Sequence, residues 1–383
     1  MTELPQLTRR GLLAGGAALA GAVVAATSWP AASAATSQSL RLSLPAPTGT
    51  LHIGRLSLRL VDRTRIDPLA PSPRARELMV HLWYPARASQ GPAARYLPGG
   101  VAQIYTDLVS AASGTSLPAD LLTFRTHGGQ AAPALPGVRC PVVLFSPGFG
   151  LNAAIYTGLH EELASRGYIV VGIDHTFDAT AVEFPGGRVE TQPPESPDLD
   201  FLRTVRVGDT RFVLDRLVAR GHTLPHGLGQ MLGMSRIAAF GHSLGSLTVV
   251  TAMEQDNRID AGAALDGNPL GGATLRQPFL MMGNPGHLRA NDPDWAAFYD
   301  RLRGPRRHLV IDGTEHADFS DVTVFKAAVD VSALFSVGPI DGLRAVEIQR
   351  AYLTAWFDQT LLSRQSALLR GESPAFPEVD FQP

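Results

Sequence analysis

Gly241-His242-Ser243-Leu244-Gly245 stands between two stretches of different character. Before it, Arg236-Ile237-Ala238-Ala239-Phe240 is a short apolar run that reads as a buried strand. After it, Ser246-Leu247-Thr248-Val249-Val250-Thr251-Ala252-Met253 continues as a helix. A serine between strand and helix, with glycine two residues away on either side, marks a sharp turn that lifts the hydroxyl above a sheet edge. The glycines answer a steric need, because strand and helix crowd together at such a turn. In a glycine-rich chain the five-residue pattern alone is weak. Its flanks make it specific, and Ser243 is the candidate nucleophile.

Working outward, the chain divides into two patterns. Residues 51–61 and Leu78-Met79-Val80-His81-Leu82-Trp83-Tyr84 alternate apolar and polar positions, which predicts half-exposed antiparallel strands at a sheet edge. From Cys140 onward the runs at 141–145, 168–173, 237–240, 261–265, 279–282 and 309–311 are compact and continuously apolar. Helix-like segments at 153–166, 201–220, 244–253 and 295–302 separate most of them. Strands buried on both faces and alternating with helices describe a mostly parallel central sheet flanked by helices. With the Ser243 turn, this is the α/β-hydrolase fold, with antiparallel N-terminal edge strands. Two segments break the rhythm. Residues 97–137 form a glycine-, alanine- and proline-rich insertion. Residues 320–339 are strongly apolar and are expected to cover a pocket, with Phe325 and Phe335 as candidate substrate contacts.

A serine hydroxyl needs a base to take its proton, and the base needs an acid to fix its tautomer. In this fold the order is serine, acid, histidine. His287, His308 and His316 follow Ser243. His308 falls in or beside a strand, and His287 comes one strand too early. His316, in Asp312-Gly313-Thr314-Glu315-His316, opens a loop from the last strand and is the candidate base. For the acid, Asp266 ends the apolar run 261–265 and precedes Gly267, which permits a tight turn. Asp292 and Asp294 are rivals after the next strand, but their Asn-Asp-Pro-Asp setting reads as a helix cap. The oxyanion needs two N–H donors, expected from Leu244 and from Phe149 in Ser146-Pro147-Gly148-Phe149-Gly150. His175 follows a strand that reaches the same edge and is a further candidate substrate contact.

The ends and the composition bound the rest. Thr8-Arg9-Arg10-Gly11-Leu12-Leu13, a weakly apolar stretch and Ala32-Ser33-Ala34 read as a twin-arginine signal peptide over 1–34. Residues 35–383 then form one catalytic domain, and the product is expected to be secreted. One cysteine, Cys140, leaves no intramolecular disulfide and sits in a strand-like run. A formal net charge of −2 argues against a nucleic-acid partner. No metal or cofactor is expected.

Leu82-Trp83-Tyr84-Pro85-Ala86, Leu144 to Gly150, Gly241 to Gly245, Ala264-Leu265-Asp266-Gly267 and His316-Ala317-Asp318-Phe319-Ser320-Asp321 occur in an order that resembles the secreted, serine-dependent platelet-activating-factor acetylhydrolases and their bacterial lipase-like relatives. The resemblance covers about Leu51 to Phe357. It implies that the acid follows the strand after the nucleophile, which favours Asp266. It also implies calcium-independent hydrolysis of esters with short or oxidised acyl chains. The expectation is a secreted serine esterase or lipase on small-molecule or lipid esters, with transient contact at a lipid interface. Phospholipase-type and polyester hydrolysis are the alternatives.

Overall fold

The computed structural model describes residues 40–88, 91–195, 197–267 and 274–382, so the expected signal segment lies outside it. In chain order the strands are β1 (His52–Ile66), β2 (Ala75–Ala86), β3 (Ala93–Arg95), β4 (Arg125–Gln130), β5 (Cys140–Ser146), β6 (Ile169–Asp174), β7 (Ala181–Glu183), β8 (Val189–Thr191), β9 (Leu232–His242), β10 (Ala261–Leu265), β11 (Phe279–Gly283), β12 (Arg306–Ile311) and β13 (Val379–Phe381). Among the described residues β7 and β8 pair as a hairpin, and the others join one sheet in the order β13-β12-β11-β10-β9-β5-β6-β2-β1-β4-β3. From β6 through β5, β9, β10 and β11 to β12 every pairing is parallel. The pairs β6–β2, β2–β1 and β12–β13 are antiparallel.

The helices are α1 (Gly99–Ser113), α2 (Thr157–Ser165), α3 (Leu199–Arg220), α4 (Leu228–Met231), α5 (Leu244–Gln255), α6 (Pro293–Arg301), α7 (Val322–Phe325) and α8 (Gly342–Leu362). They cover both faces of the sheet. Val143, Phe145, Ala238, Phe240, Ala263 and Leu265 point to one face, where α1, α2 and α8 supply Tyr105, Leu159, Leu163, Trp356 and Phe357. Val142, Leu144, Ala239, Ala264 and Met281 point to the other, against Leu214 of α3, Val250 of α5 and Trp295 and Phe298 of α6. Successive residues thus bury into opposite layers, which is why these strands carry no polar alternation. Cys140 is buried at the start of β5, and burial pushes its thiol up to about 11, as suits an inert packing residue.

The N-terminal strands are antiparallel as expected, but their position is corrected. β2 lies inside the sheet between β6 and β1 and is buried along most of its length. The reason is that β1 covers its outer side, and the 97–137 insertion contributes β4, which pairs with β1 at Gly54 and Arg55. The helix expected over 153–166 opens as a 3-10 turn, Ala153–Tyr156, before α2 begins.

Candidate active site

Ser243 lies between the last residue of β9 and the first of α5 with φ 54 and ψ −122. Such a conformation costs an ordinary residue roughly 1–3 kcal/mol and persists only where its surroundings hold it. Here the Ser243 N–H donates to the Leu265 carbonyl at 3.0 Å, and its own carbonyl accepts from Ser246 N–H at 2.9 Å. The flanking glycines are obligatory. A Cβ on Gly241 would stand 2.2 Å from the Gly245 carbonyl oxygen, and one on Gly245 would stand 1.9 Å from that of Ser146. A Cβ on Gly267 would stand 2.4 Å from the Ser243 carbonyl oxygen. The ends of β5, β9 and β10 therefore meet at van der Waals contact around the serine.

Asp266 follows the last residue of β10, buried, at φ 43. His316 Nδ1 donates to its Oδ2 at 2.6 Å. The Asn284 backbone N–H donates to Oδ1 at 2.7 Å and Asn284 Nδ2 to Oδ2 at 3.0 Å, while His287 Nε2 stands 3.7 Å from Oδ1. Burial pushes the Asp266 carboxyl up, but the hydrogen bond and charge of His316, with His287 and the Asn284 N–H, hold it below the ordinary carboxylate range. Asp292 is engaged elsewhere. Its Oδ1 caps α6 by accepting from Asp294 and Trp295 N–H at 3.0 Å each, and its Oδ2 accepts from His287 Nδ1 at 2.8 Å. His308 is buried in β12, and burial with nearby Arg289 pushes it down to about 3. Of the three histidines after the serine, His316 is the one bonded to Asp266.

His242, to which the sequence pattern assigns no role, ties the parts together. Gly148 N–H donates to the Tyr156 oxygen at 3.1 Å, and Tyr156 O–H donates to His242 Nδ1 at 2.8 Å. His242 Nε2 then donates to the His316 carbonyl at 2.9 Å. Burial first, then the neighbouring His316, pushes His242 down to about 3, so it stays neutral and this one tautomer satisfies both bonds. The His242, Asp266 and His316 ligand atoms lie within 4.8 Å of one another. The His242 nitrogens, the His316 Nδ1 and both Asp266 oxygens already have the protein partners just named.

As the first residue of α5, Leu244 contributes one of the N–H groups that a helix leaves without an internal acceptor. Phe149 stands in the turn after β5, and its side chain packs with Leu244, Phe177, Leu202 and Val205. His175 is corrected. It is buried, with Nε2 on Ser146 Oγ at 3.1 Å and Nδ1 on Asp209 Oδ2 at 2.9 Å, so neither ring nitrogen is open to a substrate. Phe325 is buried edge-on against Tyr96, with ring centroids 5.5 Å apart. With Phe335, Tyr105, Ile155 and Val331 it lines an apolar cavity of about 50 Å³. Ala317 N–H, next to His316, donates to the Ser336 carbonyl at 2.8 Å and ties this segment to the base.

Four likenesses bear on this arrangement. The family model described as "Platelet-activating factor acetylhydrolase, isoform II" matches residues 36–191 and 189–367. A "Probable 1-alkyl-2-acetylglycerophosphocholine esterase" of Arthroderma benhamiae is 31% identical over 382 residues, covering 88% of this chain and 93% of that one. The "Platelet-activating factor acetylhydrolase" of Cavia porcellus is 25% identical over 70% of this chain and 69% of its own. Among solved structures, the ferulic acid esterase from Streptomyces cinnamoneus superposes with a TM-score of 0.77 at 35% identity, over 90% of this chain and 100% of that one. The chain therefore has the α/β-hydrolase fold and belongs to the platelet-activating factor acetylhydrolase, isoform II family of carboxylic-ester hydrolases.

Proposed function

We propose that this protein is a secreted esterase that cleaves short-chain acyl esters through Ser243, His316 and Asp266. The observation that carries the reading is the 2.6 Å bond from His316 Nδ1 to a buried carboxylate beside a serine held at φ 54 on a strand-to-helix turn. With Nδ1 committed to Asp266, Nε2 is the nitrogen left to accept the Ser243 proton. Ser243 Oγ bonds to the ester carbonyl carbon, and Phe149 and Leu244 N–H hold the oxyanion. The alcohol leaves with the proton carried by His316. Water, deprotonated by the same nitrogen, then releases the acyl group as the acid.

The short acyl chain is supported by the acetyl group in the name of the Arthroderma relative. A fluorophosphonate is expected to label the peptide carrying Ser243, with hydrolysis falling as acyl length grows in a panel of esters. The panel includes a short-chain phospholipid, a feruloyl ester and a polyester film. Labelling at another residue would overturn the nucleophile assignment. In the same panel Phe325→Ala or Phe335→Ala is expected to shift preference towards longer chains by several-fold while changing the acetyl-ester rate less. An equal loss at all lengths with a lowered Tm would make the segment packing alone.

Export by the twin-arginine route belongs to the same reading. Replacing Arg9 and Arg10 together by lysine is expected to leave the protein in the cytoplasm, and normal secretion of that variant would refute it.

A further inference from the structure

Arg206, in the middle of α3, is 1% exposed. Its guanidinium is spread over two kinds of partner. Nε donates to Asp178 Oδ2 at 2.7 Å and Nη2 donates to Asp178 Oδ1. Nη1 donates to the Pro147 carbonyl, and Nη2 also reaches the Gly148 carbonyl at 3.3 Å, which Leu151 N–H meets at 3.2 Å as well. Those carbonyls belong to the turn whose next N–H is that of Phe149. Among the described residues no peptide is cis, and in a planar trans peptide the C=O and the following N–H point in opposite directions. Drawing the Gly148 carbonyl towards α3 therefore turns the Phe149 N–H away from α3. The other side of the same turn is fixed by Gly148 N–H on Tyr156, which holds His242.

We propose that Arg206, held by Asp178, is the positioning residue that aims the Phe149 N–H at the developing oxyanion. The inference rests on the reading of Phe149 as an oxyanion donor. A second contact from α3 supports the same turn. Asp209, three residues on and so on the same helix face, holds His175, which holds Ser146 Oγ. Pre-aimed donors raise the rate because no reorganisation is left for the moment when charge develops. The fork also explains why the residue is arginine: lysine offers a point charge and cannot hold a carboxylate and two carbonyls in one plane. Stability alone is a weak reason for the pair, since buried ion pairs can often be replaced by apolar residues without loss.

The test uses Arg206→Lys and the double variant Arg206→Met, Asp178→Leu, which leaves no unpaired buried charge if the single variant fails to fold. Each is assayed on an acetyl ester, on the matching thionoester, and for binding of a trifluoromethyl ketone that mimics the tetrahedral intermediate. Oxygen accepts the donor's hydrogen bond far better than sulfur, so a working oxyanion hole favours the ester. The expected result is a kcat lower by about 10–100-fold, below the full loss of a donor. KM stays within about twofold, the ester-over-thionoester ratio shrinks, and ketone affinity falls in step. A folded variant with wild-type kcat would overturn the proposal. So would equal losses on ester and thionoester with ketone affinity unchanged, the mark of a merely structural role. If wild type binds the ketone no better than the ester, the oxyanion reading itself fails before any Arg206 variant is made.

Discussion

Asp266→Asn is expected to lower kcat on a short acyl ester by about 10⁴ with the fold retained, the loss seen when the base is left in the wrong tautomer. The wrapping of this carboxylate says which way the amide must sit. Oδ1 accepts a backbone N–H from Asn284, a donor that cannot rotate away, so the amide oxygen of the variant takes that site. Its NH₂ then occupies the Oδ2 position, 2.6 Å from His316 Nδ1, and donates to that nitrogen. The imidazole proton moves to Nε2, where it blocks acceptance from Ser243. Asn284 Nδ2 now also faces a donor, and turning that amide over gives up the bond its Oδ1 accepts from Gly286 N–H at 2.7 Å, a further cost of about 1 kcal/mol. Asp292→Asn is the control. It keeps the α6 cap, because an asparagine oxygen accepts the same N–H groups about as well, and it leaves kcat near wild type. Circular dichroism and initial rates on both variants decide the matter. An inactive Asp292→Asn beside an active Asp266→Asn would move the acid to the later strand.

Gly245→Ala is expected to abolish accumulation of folded protein. Its Cβ would stand 1.9 Å from the carbonyl oxygen of Ser146, the last residue of β5, and 2.8 Å from that of Pro147. Both obstacles are backbone at the carboxyl end of the central strand β5, so neither can swing aside as a side chain would. A cost above roughly 4 kcal/mol is the expected size for such a clash, a large part of the 5–15 kcal/mol that holds a typical protein folded. Gly114→Ala isolates the backbone contribution. Gly114 ends α1 at φ 66, and a methyl there would meet nothing within 4 Å, so only the left-handed conformation is penalised, by about 1 kcal/mol. Soluble yield is the readout for Gly245→Ala, and urea unfolding is the readout for Gly114→Ala, which should lose only about 1 kcal/mol. A Gly245→Ala protein of near-normal stability would mean that the elbow is looser than its contacts indicate.

The central strands were legible because burial on both faces writes itself as continuous apolar runs, and the serine turn because its steric demands leave two glycines. Ser243, Asp266 and His316 follow from chain order once those strands are placed. What escaped is polar but buried. α8 has Gln349, Arg350 and Thr354 among its buried residues, so no apolar stripe announces a helix over 342–362. Arg206 reads as a surface charge in any helix window, and only its depth reveals otherwise. His175 sits at the expected strand end, yet the distant Asp209 turns it inward. Asn284 stands at the end of the next strand, where a polar residue facing Asp266 was the signal available. The burial of β2 depends on strands from elsewhere in the chain, which a local pattern does not report.

β5 lies between β6 and β9, so the chain builds outward from it first to one side and then to the other. The helix after β5, α2, packs on one face of the sheet, while α5, after β9, packs on the opposite face. Two neighbouring parallel strands that send their connections to opposite faces leave a crevice between their carboxyl ends, a topological switch point. One wall of that crevice is the turn bearing Phe149 and the other is the elbow bearing Ser243. Under the proposed mechanism, an ester carbonyl entering it would meet Ser243 from one side and the Phe149 N–H from the other, by strand order alone. On the same reading, substitutions in groups bordering the crevice would change which esters enter while the backbone of the two turns at its floor stays in place.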